Sequence, residues 1–190
     1  MSRGAPLPPR RPRAVPAGAR RLRIRSARVS DAAAIATVMR ASVRGLAAAA
    51  YPRETIAAWA SLPALYHAWA MTAGAEAYVV AERSGRVVGY AARRAGEVTA
   101  VFVAPGHARA GVGTALLSRI ERDAVRAGVR SLFVRAALGA IPFYAALGYR
   151  GTRRARVPLP GGAALAAVLL RKRLARVTRT PGSPAPATPA

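Results

Sequence analysis

Short stretches in which apolar and polar residues alternate mark the strands of this chain, because strands with one buried face carry that pattern. LRIRSARV (residues 22–29) alternates in this way, and two β-rich runs flank Ser84-Gly85-Arg86, which predicts a β-hairpin. Two further strands are predicted over 97–104, where Pro105 ends the run, and in SLFVRAA (131–137).

Helices are predicted where apolar residues recur three or four positions apart. Ser30-Asp31 is an N-cap candidate for an Ala-rich helix, and Pro52 suits the start of a second helix. Residues 111–127 form a third, and AIPFYAALG (140–148) forms a short fourth that its final glycine ends. Their apolar faces hold Ile35, Val38 and Met39 in the first helix and Leu116, Leu117 and Ile120 in the third.

The order of these elements is strand, two helices, three strands, helix, strand and helix. It predicts an α/β or α+β domain with a mixed sheet over residues 22–174. The segment ALAAVLLRKRL (164–174) is ambiguous, because its periodicity also allows a helix with a basic end. Residues 1–21 (Arg/Pro-rich) and 175–190 (Pro/Ala-rich) are predicted to be disordered tails, since they bury too little apolar surface to offset their ordering entropy.

The charge balance is strongly basic. Lys and Arg number 31 against seven Asp and Glu, which gives a formal net charge of +24. This charge favours anionic partners, such as a polyphosphate cofactor, nucleic acid or an anionic membrane surface. No recognised nucleic-acid-binding motif accompanies the arginines, so the sequence argues against nucleic acid as the partner.

Missing residue types narrow the chemistry further. The chain has no cysteine, which excludes disulfides, thiolate metal ligands and a cysteine nucleophile. His67 and His107 are too few for a histidine-based metal site, so no metal is expected. No apolar run reaches the ~18–20 residues of a membrane span, and no signal-peptide pattern is visible, so we expect a cytoplasmic protein without a membrane partner.

The most informative stretch is PGHARAGVGTALL (105–117), which follows a predicted strand and opens a helix. The first amides of a helix have no internal acceptors, and glycines let an anion approach them closely. A pyrophosphate is therefore expected on the amides of Arg109, Ala110, Gly111, Val112, Gly113 and Thr114. The P-loop and dinucleotide-binding patterns do not fit, because Val112 replaces the lysine of the first and Leu116 the third glycine of the second. A glycine-rich turn that merely starts a helix is the alternative.

This loop and a second motif together resemble the GCN5-related N-acetyltransferases (GNAT superfamily). PFYAALGY (142–149) is similar to the second signature of that superfamily, and residues 24–44 resemble its opening strand and helix. YPRETIAAWA (51–60) is similar to the bacterial YafP-like subgroup. The resemblance implies a mixed, mostly antiparallel twisted sheet of six to seven strands with about four helices. It also implies that residues 164–174 form a strand.

The resemblance further implies the transfer of an acetyl group from acetyl-CoA to a primary amine of a small molecule or a protein. It assigns the pantetheine arm to the backbone of Val101, Phe102 and Val103, and the oxyanion to the Val103 amide. Tyr144 takes the general-acid position, with a packed aromatic side chain as the alternative. Glu97 is a candidate base acting through water, with a solvated strand-end charge, or water alone, as alternatives. Strand alternation places residues 97, 99, 101 and 103 on one face.

Three departures from the family pattern leave other functions open. Ala108 replaces the usual Gln or Arg, Gly139 replaces an Asn or Thr, and Thr99 stands where some relatives carry an acid. These changes motivate a catalytically degenerate acyl-CoA-binding module, and the arginine-rich tails motivate a nucleic-acid-associated protein. The acceptor amine and the oligomeric state, a homodimer included, are not determined by the sequence. His107 is expected in solvent; His67, Trp59, Tyr66 and Trp69 are expected to form a packing stripe in the region that often holds the acceptor in this family.

Overall fold

A single seven-stranded sheet organises the protein. The computed structural model describes residues 21–175, and its strand order is β1-β2-β3-β4-β5-β7-β6. Only β4 and β5 pair in parallel; every other neighbouring pair is antiparallel, which confirms the predicted fold class. The strands are β1 (Arg23–Ser26), β2 (Ala77–Arg83), β3 (Arg86–Arg94), β4 (Glu97–Val103), β5 (Ser131–Ala137), β6 (Arg150–Pro158) and β7 (Ala164–Arg173).

Within residues 21–175, five α-helices pack on this sheet, where the sequence predicted about four. Helix α1 runs on into a π-helical turn (Val43–Ala47), and the ambiguous segment 164–174 is confirmed as a strand. The predicted tails lie outside the described residues, apart from Arg21 and Ala175. The helices are α1 (Ala32–Ser42), α2 (Arg53–Ala60), α3 (Ala64–Met71), α4 (Val112–Arg126) and α5 (Ile141–Ala146).

The two faces of the sheet carry separate hydrophobic cores. On the α4 face, helices α4 and α5 bury an apolar set that continues onto β5 and β7. On the α1 face, helices α1–α3 cover β2, β3 and β4. The α4 face includes Val98, Leu116, Leu117, Ile120 and Leu170; the α1 face includes Ile35, Val38, Met39, Val80 and Tyr90.

Within residues 21–175, one helical run, Val29–Ala50, is long and apolar enough to cross a membrane by length and composition, although no apolar run of that length was expected from the sequence. The core helix of a soluble protein passes the same test. Here α1 buries Ile35, Val38 and Met39 against the sheet, which accounts for its apolar composition.

His67 lies inside the α1-face core rather than on the surface of α3. Its side chain is 2% exposed, and its ring contacts the rings of Tyr78 and Tyr90. The sequence had grouped it with Tyr66 and Trp69, but those two side chains are exposed. Burial lowers the pKa of His67 to about 4, because the charged imidazolium is poorly solvated there.

The buried His67 predicts a pH dependence of stability. An unfolded chain binds a proton at this imidazole below a pH of about 6.5, whereas the folded chain does so only near pH 4. The free energy of unfolding should therefore fall by roughly 3 kcal/mol as the pH drops from 6.5 to 4. Urea denaturation of the wild type and of His67→Phe at pH 7.5 and 4.5 measures this effect. The same pH dependence in both proteins would contradict it.

Candidate active site

Strands β4 and β5 part soon after they meet. They pair only at Glu97↔Phe133 and Val98↔Val134, although β4 continues to Val103 and β5 to Ala137. A V-shaped gap therefore opens in the sheet. It interrupts the ladder at the centre of the sheet, where backbone hydrogen bonds are otherwise satisfied by neighbouring strands.

Backbone groups of β4 face this gap at alternate residues. The Ala104 amide donates to the Val88 carbonyl of β3 at 2.9 Å, and the register pairs Phe102 with Tyr90. Because successive residues of a strand direct their amides to opposite sides, Phe102 bonds to β3, whereas Val101 and Val103 face the gap. Of the three residues predicted to contact pantetheine, Phe102 therefore has its backbone hydrogen-bonded to β3 and not directed at the gap.

The predicted pyrophosphate loop forms a concave turn at the open end of the gap. Arg109 and Gly111 both have left-handed backbone conformations, with φ of +61° and +77°. Such turns bring successive amides toward a common point, and α4 begins directly afterwards at Val112. Nothing lies within 4 Å of where a Cβ of Gly111 would stand, so the concavity is open. We call residues 109–114 the cradle.

Helix α5 contacts the cradle through an aromatic pair. A Cβ on Gly113 would stand 3.3 Å from the Phe143 ring and 3.7 Å from a Val103 methyl group, so the end of β4, the start of α4 and α5 converge there. Tyr144 follows Phe143, and the two ring centroids lie 5.0 Å apart. Tyr144 is buried, and burial raises the pKa of its hydroxyl above the ordinary value. The Tyr144 hydroxyl makes no hydrogen bond to any other residue in 21–175.

The expected shared face of residues 97, 99, 101 and 103 is wrong. The register shifts from Ala92↔Ala100 to Arg93↔Val98, so Thr99 is an extra, bulged residue. The bulge inverts the alternation of faces along β4. Val98, which precedes the bulge, and Val101 and Val103, which follow it, all lie on the α4 face. Glu97 lies on the opposite face and accepts two hydrogen bonds at Oε1 from Arg135, at 2.6 and 2.9 Å.

Glu76 is a buried carboxylate near the site that the sequence does not indicate. It precedes β2 and is 9% exposed, and its Oε2 accepts a hydrogen bond of 2.6 Å from Thr99 Oγ1 at the bulge. A carboxylate thus lies next to the strand position where some relatives carry an acid, but it comes from a distant part of the chain. Its position in sequence, in a Gly-Ala-Glu-Ala stretch ahead of a strand, offers no signal for this contact.

A tyrosine anchors a bridge across the α1-face side of the gap. The Tyr51 hydroxyl accepts a hydrogen bond from the Leu138 amide at 2.6 Å and donates one to the Ala166 carbonyl at 2.7 Å. Its ring packs edge-on against Trp59, which packs against Phe102 of β4. The bridge therefore joins β4 to the ends of β5 and β7. Helices α4 and α5 cover the α4 face of the sheet. The open approach to the gap is therefore on the α1 face, beside this bridge.

The remaining predicted site features are surface groups. Arg109 is exposed and makes no ion pair within the described residues, so its guanidinium is available to a ligand at the cradle. His107 is half-buried in the turn before it. Within residues 21–175, no group of three or more metal-ligating side chains lies close enough together to hold a metal ion.

The split central sheet, the open amide cradle and the buried tyrosine beside it form one candidate site. The family model described as acetyltransferase (GNAT) domain matches residues 47–157. The chain therefore belongs to the GNAT acetyltransferase family, which confirms the resemblance seen in the sequence. Comparison with curated protein sequences gives no significant match.

Solved structures agree with the family. The GCN5-related N-acetyltransferase "Aminotransferase, Class-II" from Rhodopseudomonas palustris is 29% identical, with a TM-score of 0.74, over 80% of this chain and 95% of that one. The PaiA N-acetyltransferase of Thermoplasma acidophilum, in complex with coenzyme A, is 16% identical (TM-score 0.65; 80% and 99% covered). The putative acetyltransferase YncA of Salmonella typhimurium, with acetyl-CoA, is 24% identical (TM-score 0.61; 85% and 98% covered).

Proposed function

We propose that the protein is an acetyl-CoA-dependent N-acetyltransferase that moves the acetyl group directly to a primary amine. One observation carries the proposal: the gap between β4 and β5 joins the cradle to the approach beside Tyr51. A thioester in the gap would have its phosphates on one side and an acceptor on the other. The GNAT family and its coenzyme-bound relatives support this reading.

The residues present fit acetyl-CoA. The cradle offers backbone amides at the positive end of the α4 dipole, and Arg109 adds a full positive charge for the phosphates. The amides and carbonyls of Val101 and Val103 face the gap, where a pantetheine arm can replace the missing β5 partner. The Val103 amide is the proposed donor to the oxyanion.

The reaction requires a proton acceptor and a proton donor. The neutral amine nitrogen attacks the thioester carbonyl carbon, a C–N bond forms and the C–S bond breaks. The proton that leaves the nitrogen passes along a chain of water molecules to Glu97 at the start of β4, and the departing thiolate takes a proton from Tyr144, which solvent later restores. The products are an N-acetyl amine and free coenzyme A. Because burial raises the pKa of Tyr144, this donor stays protonated through the neutral pH range.

Glu97 is the proposed base because its carboxylate lines a groove at the closed end of the gap, with Oε2 not engaged by Arg135. We expect Glu97→Gln to lower kcat by about 100-fold at neutral pH, in the range of general-base effects. The loss should shrink as the pH approaches 10, where a free amine is deprotonated without help. Steady-state kinetics over pH 6–10 measures it.

The matched comparison is Glu76→Gln, which removes the other nearby carboxylate. Glu76 reaches the site only through Thr99, so its loss should cost less than tenfold in kcat. A larger loss in Glu76→Gln than in Glu97→Gln would assign the base to Glu76 and contradict the proposed role of Glu97.

Two finer assignments belong to the proposal. We place the chain in the YafP-like subgroup because Tyr51 and Trp59, both part of the similar motif, jointly bridge the gap. We also propose a bacterial, cytoplasmic enzyme, in keeping with the absence of cysteine.

The direct test of the function is coenzyme A release from acetyl-CoA in the presence of a panel of primary amines, with mass spectrometry of the products. The proposal predicts an N-acetyl product and one coenzyme A per acetyl group transferred. Binding of acetyl-CoA without turnover of any amine would favour the alternative of a degenerate acyl-CoA-binding module.

A further inference from the structure

An open groove lies on the α1 face of the sheet, on the half that helices α1–α3 leave uncovered. It is open to solvent, has a volume of about 490 Å³ and is lined by Glu97, Phe133, Arg135, Arg153, Leu169 and Arg171. The strand registers bring these side chains together: Glu97, Phe133 and Arg171 form one row across β4, β5 and β7, and Arg135, Leu169 and Arg153 form the next row across β5, β7 and β6. The groove begins where the gap closes.

The charges in this groove do not balance. Glu97 pairs with Arg135, but the side chains of Arg153 and Arg171 have no hydrogen bond or ion pair within residues 21–175. Arg135 and Arg153 both neighbour Leu169, from the two sides of β7. Like charges brought together on one sheet face repel, so a bound anion would relieve the repulsion. The groove therefore has two uncompensated guanidinium groups above an apolar floor.

We infer that the acceptor is a small primary amine that carries an anionic group, a carboxylate or a phosphate, which Arg153 and Arg171 bind. This inference rests on the proposed acetyl transfer. The amine lies in the gap on the α1-face side of β4, and the anion lies on β7 and β6, two and three strands from β4, which corresponds to roughly 10–14 Å between backbones. The half-buried Phe133 and Leu169 suit an aliphatic spacer between the two groups.

The test compares acceptors that differ only in the distal group. We expect kcat/KM for 6-aminohexanoate to exceed that for hexylamine by about 10- to 100-fold, the range of hydrogen bonds to charged groups. A set of 4-aminobutyrate, 3-aminopropyl phosphate and butylamine separates the two anions, and preference for either anion over butylamine supports the inference. The preference should weaken in high salt.

Arginine variants show whether this groove is responsible. Arg153→Gln and Arg171→Gln should each lower kcat/KM for 6-aminohexanoate about tenfold and leave that for hexylamine unchanged. Arg154→Gln is the matched control, because Arg154 is the next residue of β6 and pairs with Val168 on the α4 face. It should retain the preference. An unchanged affinity for acetyl-CoA checks that each variant is folded.

Failure of the inference differs from failure of the proposed function. Equal kcat/KM for the anionic and neutral amines, or a preference that survives both Arg153→Gln and Arg171→Gln, would overturn the inference while acetyl transfer stands. No acetylation of any amine, charged or neutral, would overturn the acetyl transfer itself.

Discussion

Replacing Gly111 by aspartate should abolish the binding of acetyl-CoA. The side chain would enter the open cradle, at a position with φ of +77°, and place a negative charge where the pyrophosphate is proposed to lie. Like charges at such a contact cost several kcal/mol, so the affinity should fall by more than about 100-fold. Thermal unfolding with and without ligand measures it: acetyl-CoA at 100 times its Kd should raise the wild-type Tm by roughly 5–10 °C. The Tm of the variant should not move.

The control for this change lies at the other end of the same helix. Gly128 follows α4, also has φ of +77°, and has no atom within 4 Å of its Cβ position. Gly128→Asp therefore introduces the same residue into the same backbone conformation, about 17 positions away. It should lower the Tm of the free protein and keep the full shift with acetyl-CoA. A lost shift in both variants would show that aspartate disturbs the fold rather than the cradle.

Replacing Tyr144 by phenylalanine should lower kcat by about 100-fold or more, within the range of general-acid effects. The hydroxyl has no other hydrogen-bond partner in the described chain, so its removal leaves no buried group unsatisfied. The KM for acetyl-CoA should change little, because the cradle and the β4 backbone are untouched. Steady-state kinetics with a good acceptor measures both constants.

Tyr149→Phe is the control for Tyr144→Phe. The two rings pack edge-on with centroids 5.5 Å apart, and Tyr149 lies in the same core beneath Lys172. Removing its hydroxyl should leave kcat nearly unchanged. If Tyr144→Phe retains wild-type kcat, Tyr144 is a packed aromatic side chain and another group protonates the thiolate.

Most of the strands and helices were predictable from local sequence patterns. The hairpin around Ser84-Gly85-Arg86 and the strand ended by Pro105 follow from a few adjacent residues each. The segment 164–174 needed the family resemblance, because its periodicity fits two structures. The turn over residues 109–114 was also predictable, since closely spaced glycines before an apolar helix are a local signature, and the structure adds the left-handed Arg109. Its binding of phosphate stays a prediction.

Features that depend on pairing between strands were not predictable. The bulge at Thr99 arises from the register between β3 and β4, and that one extra residue moved Glu97 to the opposite face from Val101 and Val103. Glu76 reaches Thr99 from 23 positions away in the chain. No local pattern encodes such contacts. They depend on how the assembled sheet places distant residues beside one another.

The binding of acetyl-CoA is the claim on which the function rests, and calorimetric titration of the full chain tests it most directly. Acetyl-CoA should bind saturably at one site per chain, and coenzyme A should compete with it because it shares the phosphates and the pantetheine arm. A folded protein that gives no binding heat and no Tm shift at millimolar acetyl-CoA would contradict it, and the gap, the cradle and Tyr144 would then need another ligand.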